Sequence, residues 1–157
     1  IFFIFLLFFE YMFHKNILHK NVFPKFLFKK HELEHHVIYK ENSMEISSYK
    51  ELYYVLIPYY AGLMIVILNV PLLLLNLYFN SNLIYIWLIC SMSFFMLYEF
   101  LHMVYHLPES SKFKKLKIVQ MISKSHTKHH DNKLMETHNF NVTIPLFDLI
   151  FKTYKKD

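Results

Sequence analysis

The sequence predicts an all-α integral-membrane fold, in which transmembrane helices carry a cytosolic cap of His-bearing helices. Hydrophobic residues make up 55% of the 157 residues and aromatic residues 19%, which is high for a soluble domain of this size. No side chain from Leu52 to Tyr98 carries a formal charge, and all 11 histidines lie outside that stretch. A lipid bilayer accounts for the apolar stretch and leaves the polar regions to carry the chemistry.

The N-terminal apolar run extends from Ile1 to Phe13 and is interrupted only by Glu10. It is too short to cross a hydrocarbon core of roughly 30 Å, which requires about 20 residues. We therefore expect residues 1–13 to be the end of a transmembrane helix in an N-terminally truncated chain. Residues 14–51 are rich in His, Lys and Glu with apolar residues between them, which suits helices that lie on a membrane surface.

The uncharged stretch predicts a transmembrane hairpin over residues 52–101, because it is long enough for two spanning helices but not for three. The expected tip of the hairpin is Asn76 to Asn82, where Asn-Ser-Asn interrupts the apolar pattern. Two crossings return the chain to the side from which it left. Residues 14–51 and 102–157 are thus predicted to be two His regions on one side, and residues 1–157 a single membrane-bound domain.

The charges indicate which side that is. All 17 basic residues are Lys, and they fall in two blocks, from Lys15 to Lys50 and from Lys112 to Lys156. Lysine enrichment beside apolar spans is typical of cytoplasmic loops, so we expect the His regions to face the cytosol. The net charge of +5 does not indicate a nucleic-acid partner, because no basic helix is interleaved with base-stacking aromatic residues.

Two scarce residue types exclude other classes of chemistry. Gly62 is the single glycine, so no Gly-rich loop is available to bind phosphate groups. Cys90 is the single cysteine, which excludes internal disulfides and Cys-based zinc sites.

The histidine spacing is the strongest signal in the sequence. A regular helix turns about 100° per residue, so residues three or four apart share a face. The spacing predicts that His102 and His106 point into one cleft, as do His31 with His35 and His126 with His129 and His130. His14 and His19 are five apart, roughly 140° from one another on a regular helix. They therefore serve different metals, or the helix ends between them.

Neutral imidazole is the commonest metal ligand in proteins, and ten clustered imidazoles exceed what one ion of four to six ligands can use. Two metals are the economical inference, and the alternative is a set of solvated His in polar loops. The ten candidate ligands form four boxes: His14 and His19 in the first, His31, His35 and His36 in the second, His102 and His106 in the third, and His126, His129 and His130 in the fourth. His138 stands apart as an eleventh candidate.

Three carboxylates are candidates to orient the ligands. Glu10 precedes His14 by four residues and Glu99 precedes His102 by three, each near the end of an apolar helix. A carboxylate there is costly unless it is partnered, so we expect it to accept a hydrogen bond from a ligating imidazole. The alternative is a carboxylate that reaches interfacial water. Asp148 is a third candidate, for which helix capping is the alternative.

These residues give the chain a resemblance to the fatty acid hydroxylase and sterol desaturase superfamily, whose members are integral-membrane non-haem two-iron enzymes. Glu10-Tyr-Met-Phe-His14-Lys-Asn-Ile-Leu-His19 resembles the opening box, and Glu99-Phe-Leu-His102-Met-Val-Tyr-His106 resembles the third. The fourth box followed by residues 139–148, Asn-Phe-Asn-Val-Thr-Ile-Pro-Leu-Phe-Asp, is similar to the last box and the segment that closes over it. The spacings of the first and third boxes resemble the fatty acyl 2-hydroxylase branch.

Two positions depart from the family pattern. The second box reads His-x3-His-His, where His-x2-His-His is usual in the hydroxylases. Lys152 stands where a Gly commonly precedes the Thr matched by Thr153. Both departures bear on the substrate and the reaction type more than on the metal.

The resemblance implies an O2-dependent monooxygenase of lipid metabolism in the endoplasmic reticulum. Two Fe ions, with O2 as co-substrate, are implied to hydroxylate a membrane lipid, most specifically at the 2-position of free or ceramide-linked fatty acyl chains. Because imidazole binds both metals, the sequence leaves zinc open in place of iron. This sequence contains no recognisable cytochrome b5 domain, which some acyl hydroxylases carry. Electrons are therefore expected from a separate donor, such as cytochrome b5 with its reductase, or from a missing N-terminal part of the chain.

Three alternatives remain open at this point. The first is a fatty acyl or sterol desaturase or oxidase that uses the same two-iron centre; the third box and residues 139–146 favour hydroxylation over it. The second is a membrane metal transporter or His-rich metal sensor, although transport sites usually lie near the membrane midplane, where this chain has no His. The third is an inactive member of the family.

Overall fold

The computed structural model describes residues 1–58, 60–79 and 82–156, and the described residues are mostly helical. No β-strand forms among them; Lys40 and Ser43 make one isolated bridge. The α-helices are α1 Phe2–Phe13, α2 Lys25–Phe28, α3 His36–Ile38, α4 Leu52–Val55, α5 Tyr60–Phe79, α6 Leu83–Tyr105, α7 Lys117–His129 and α8 Leu146–Ile150.

Helices α5 and α6 pack against each other and form the apolar part of the molecule. The segments Tyr49–Pro71 and Leu83–Tyr105 are long and apolar enough to cross a membrane. Their outward side chains remain uncovered, with Leu63 60% and Ile89 66% exposed. Apolar helices that the protein itself does not cover suit lipid as their surroundings. The all-α membrane fold predicted from the sequence is therefore confirmed.

Polar and aromatic contacts hold these helices together. The Trp87 Nε1–H on α6 donates to the Asn69 Oδ1 on α5 at 2.8 Å. Helix α1 also packs against α6, where the ring centroids of Phe3 and Phe94 are 5.7 Å apart. Hydrogen bonds between helices help apolar spans associate, because lipid gives no hydrophobic drive for their packing.

The hairpin tip is shorter than predicted. Helix α5 continues to Phe79 and α6 begins at Leu83, so Asn76 and the residues after it up to Phe79 are helical. Asn80 and Ser81, which belong to the predicted tip, lie outside the described residues. The helix extends through Asn76 because backbone groups at membrane depth need internal hydrogen-bond partners, and helix continuation supplies them.

Two π-helical turns shape the polar cap at one end of the spans. One covers His14–Leu18, directly after α1, and the other covers Lys29–His35, directly after α2. The His19 N–H donates to the His14 carbonyl at 3.3 Å, and the His36 N–H donates to the His31 carbonyl. A π-helix bonds residues five apart, so it aligns side chains of that spacing on one face.

Candidate metal centre

Ten buried imidazoles form two clusters in the cap, and within each cluster one nitrogen from every ring lies within 4.8 Å of all the others. The clusters adjoin, since the ring centroids of His36 and His130 are 4.3 Å apart. The first cluster comprises His14, His19, His31, His36 and His129, and the second comprises His35, His102, His106, His126 and His130.

Local helix geometry decides which ring joins which cluster. The π-helical turns bring residues five apart together, so His14 joins His19 and His31 joins His36 in the first cluster. Of the two alternatives for His14 and His19, the structure contradicts binding to different metals, because both rings join one cluster. It agrees with the other, because the π-helical turn that starts at His14 ends at Leu18, before His19.

In the second cluster, regular α-helical geometry brings together residues that are four apart. His102 lies in the last turn of α6 and His106 directly follows that helix; His126 lies in the last turn of α7 and His130 directly follows it. The second and fourth boxes each also send one ring to the other cluster. The rings of His31 and His35 lie side by side, with centroids 5.2 Å apart, as the spacing predicts. The two rings nevertheless belong to different clusters, as do those of His126 and His129, a division that the spacing did not predict.

Backbone carbonyls fix the orientation of five of the rings. A carbonyl only accepts hydrogen bonds, so the Nδ1 atom that faces it carries the hydrogen, and in a neutral ring Nε2 is then an unprotonated donor to metals. The Nδ1–H groups donate as follows: His14 to Phe140 at 2.5 Å, His35 to Tyr54 at 3.1 Å, His106 to Met44 at 2.7 Å, His129 to His138 at 2.9 Å and His130 to Tyr39 at 2.8 Å.

Burial keeps the rings neutral. It lowers the pKa of His19 to about 3, and it lowers the pKa of His14 and His126 well below the usual value, with neighbouring imidazoles lowering them further. Removal from water disfavours the charged form of a His, and a second imidazolium nearby disfavours it again. The rings are thus in the protonation state that metal binding requires.

The Nε2 atoms face one another at distances that lone pairs alone would not adopt. His35 and His130 both have Nδ1–H bonded to carbonyls, yet their Nε2 atoms are 3.2 Å apart. In the first cluster, the Nε2 atoms of His19 and His129 are 2.9 Å apart. Neither ring of the His35 and His130 pair has a hydrogen to place between them, so a shared cation is the group that satisfies both.

Neighbouring rings in each cluster are close enough to bind one ion. An ion with metal–nitrogen bonds of 2.0–2.1 Å holds ligands at right angles about 3.0 Å apart and tetrahedral ligands about 3.4 Å apart. Neighbouring Nε2 atoms lie 2.9–3.1 Å apart in the first cluster and 3.1–3.2 Å apart in the second. These separations are close to those of ligands on a single ion, so each cluster suits one ion.

Glu32 is a contact residue that the sequence reasoning missed. Its Oε2 lies 2.5 Å from the His19 Nδ1, and its side chain is only 10% exposed. The available signal was its position inside the second box, directly after His31. Position in the sequence does not show which ring Glu32 contacts, because its partner His19 belongs to the first box.

Glu10 and Asp148 act on the loop beside the first cluster rather than on an imidazole. Glu10 accepts bonds from the backbone N–H groups of Val142 and Thr143 at 2.6 and 2.9 Å, from the Thr143 hydroxyl at 2.6 Å and from the Asn141 amide at 3.2 Å. Asp148 accepts bonds from the backbone N–H groups of Phe140 and Asn141 at 2.9 and 2.7 Å. Both carboxylates thereby hold the backbone whose Phe140 carbonyl orients His14.

Glu99 also has a partner other than the expected one. Its Oε2 accepts the Ile57 N–H at 3.0 Å, at the break between α4 and α5. The expectation that Glu10, Glu99 and Asp148 bond to ligating imidazoles is therefore corrected for the described residues. Buried backbone N–H groups need an acceptor, and these carboxylates supply it.

His138 lies outside both clusters. Its ring Nδ1 is 2.8 Å from the Thr137 hydroxyl, and only its backbone carbonyl reaches the centre, through His129. The eleventh candidate thus contributes its backbone and not its ring.

Comparison with known protein families gives a match that covers nearly the whole chain. The family model for fatty acid hydroxylases matches residues 1–153. The chain belongs to the fatty acid hydroxylase family. Membership implies an oxidoreductase, and together with the two His clusters and the two apolar spans it indicates a metal-binding membrane protein. No curated protein and no solved structure matches this family member.

Proposed function

We propose that this fatty acid hydroxylase family member is an O2-dependent two-iron monooxygenase that hydroxylates a fatty acyl chain. The observation that carries the proposal is the pair of adjoining five-imidazole clusters at the cap end of α6. Iron ions bound there would supply the activation of O2 that attack on an unactivated C–H bond requires. One oxygen atom enters the C–H bond and the other leaves as water, for which a donor supplies two electrons and the solvent two protons.

The number of ligands supports iron over structural zinc. Structural zinc sites are almost always tetrahedral with four ligands. Each cluster offers five imidazoles, one more than a tetrahedral site uses.

A narrow cleft beside the two clusters is the place at which we propose that an acyl chain reaches them. It lies between the cap and the start of the first span, where Leu27, Leu56 and Ile57 line it together with His31 and His35. His31 belongs to the first cluster and His35 to the second, so the cleft touches one ring of each cluster. The cleft measures about 10 Å³, so an acyl chain would enter it only as lining side chains such as Leu27 and Leu56 move aside.

The protein's own part in this reaction is to orient the ligands and to exclude water. Phe140 is fully buried, and its ring centroid lies 6.0 Å from that of His14 and 5.9 Å from that of His129. It covers one side of the first cluster. A dry centre protects reactive species from side reactions with solvent.

The proposal also includes the membrane in which the protein lies, its electron donor and its product. Lysines that flank the spans support a cap that faces the cytosol, and the endoplasmic reticulum is the proposed membrane. The need for two electrons supports a donor such as cytochrome b5 with its reductase. The proposed product is a 2-hydroxy acyl chain, free or ceramide-linked.

Lipid profiling tests the activity. Cells that lack the protein are complemented with the wild-type chain or with His106→Ala, and their acyl species are measured by mass spectrometry. We expect 2-hydroxylated species to return with the wild-type chain alone. A product that has lost two hydrogen atoms without gaining oxygen would instead identify a desaturase, and identical profiles for both chains would reject either activity.

A further inference from the structure

The two clusters differ in what their rings meet behind the metal-facing nitrogen. Among the described residues, Glu32 is the one carboxylate that bonds to any of the ten clustered rings, through His19 Nδ1. In the second cluster, His35, His106 and His130 bond to neutral carbonyls. A negative charge is thus built into one cluster and not into the other.

The fold gives Glu32 no competing ion pair among the described residues. Its side chain is 10% exposed and that of His19 1%, so solvent screens their contact poorly. Lys30, two residues earlier, pairs with Glu34 at 3.1 Å. Lys40 donates to Asn132 at 2.9 Å and acts on Glu32 through its charge alone: burial raises the pKa of the Glu32 carboxyl, and this charge partly offsets the rise. The carboxylate therefore acts on His19.

The π-helical turns create this contact across two boxes. The turn Lys29–His35 carries Glu32 beside His31, and the turn His14–Leu18 presents His19 to it. A carboxylate that accepts Nδ1–H fixes the ring and its tautomer and makes Nε2 a stronger donor to a metal ion. A carbonyl fixes the ring in the same way but adds no charge.

We propose that Glu32 is a positioning residue that makes the first cluster the tighter of two unequal metal sites. The inference rests on the proposed two-metal centre and adds the order in which the two sites bind and release their ions. The ion in the first cluster binds first and leaves last, and the two ions have different electronic surroundings. Loss of such a carboxylate partner typically weakens metal binding by about 10- to 100-fold.

The test compares Glu32→Gln with Glu34→Gln in the full chain loaded with iron under anaerobic conditions. Glu34 lies on the same turn and is ion-paired with Lys30, so its substitution controls for loss of a carboxylate from that helix. Iron per chain is measured at equilibrium against graded chelator, and Mössbauer spectra are recorded on the loaded proteins.

We expect the wild-type chain and Glu34→Gln to release iron in two steps at the same chelator concentrations. In Glu32→Gln, the later step should move to about 10- to 100-fold less chelator, and one of two Mössbauer doublets should change. Glu32→Asp keeps the charge on a shorter side chain and should shift the later step by less than Glu32→Gln.

Three results would overturn the inference. They are an unshifted release curve in Glu32→Gln, an equal weakening of both steps, or the same shift in Glu34→Gln. In each of these the wild-type chain still holds two irons, so the proposed function survives. A wild-type chain that never holds two irons would overturn the proposed function and this inference with it.

Discussion

His31 and His36 lie five positions apart, and their Nε2 atoms approach to 3.1 Å because the turn between them is π-helical. The three histidines at the end of α7 are divided between the clusters in the same way, but with one residue less between the rings that stay together. His126 and His130, four positions apart, share a cluster, and His129 joins the other. The π-helical turn therefore accommodates the extra residue of the second box. The departure from the usual family spacing keeps all three ligands.

Deletion of Leu33 tests this account of the second box. Its side chain is 54% exposed, and its removal gives His-x2-His-His, which a regular α-helix presents as the fourth box does. We expect the deletion variant to keep two metal ions per chain. Deletion of Thr127 is the matched control, because it leaves α7 too short between its ligands and should reduce metal content. Equal loss of metal in both variants would contradict the account.

Substitution of Glu10 tests the clamp on the loop beside the first cluster. Glu10→Ala leaves four donors on Asn141, Val142 and Thr143 without their acceptor. Each unpaired buried donor costs about 1–3 kcal/mol, so the loss of stability should exceed about 3 kcal/mol. Thermal unfolding in detergent measures it.

The control for Glu10 is Glu109→Ala, whose ion-paired side chain is 73% exposed. Its stability should change by less than about 0.5 kcal/mol. Equal effects of the two substitutions would show that Glu10 is not a clamp.

Substitution of Lys152 should stabilise the protein, in contrast to substitution of Glu10. Its φ is 57°, in the left-handed region that costs an L-residue about 1–2 kcal/mol and glycine almost nothing. Lys152→Gly should therefore raise the stability by about 1 kcal/mol. The control is Lys156→Gly, an exposed position without positive φ, which should be neutral or slightly destabilising. A lower melting temperature for Lys152→Gly would refute the strain argument.

Much of this structure was predictable from residue spacing and charge. The uncharged stretch predicted the hairpin, and the four boxes predicted the rings that meet in the cap. Their partition between clusters was not predictable, because π-helical turns replace regular helix at two boxes. Sequence patterns assume 3.6 residues per turn and carry no sign of that change.

The partners of the rings were also beyond the sequence. Carbonyls of Tyr39, Met44 and Phe140 orient three ligands, and every residue type has a carbonyl. Glu10 and Glu99 satisfy backbone N–H groups of distant segments, which only the folded chain brings near. Glu32 contacts a ring from another box for the same reason.

Substitution of His138 tests which of the histidine rings bind metal. His138→Ala removes a ring outside both clusters and keeps the carbonyl that orients His129. We expect it to retain its metal, whereas His129→Ala should lose metal from the first cluster. Metal analysis of the two purified variants checks this. Loss of metal in His138→Ala with retention in His129→Ala would reverse the assignment.

The central claim is that ten imidazoles of one chain hold two iron ions side by side. Metal analysis with Mössbauer spectroscopy of the anaerobically purified, iron-loaded protein tests it most directly. We predict two irons per chain with the magnetic coupling of a pair. A folded chain that binds a single iron, two uncoupled irons or no metal at all would contradict it.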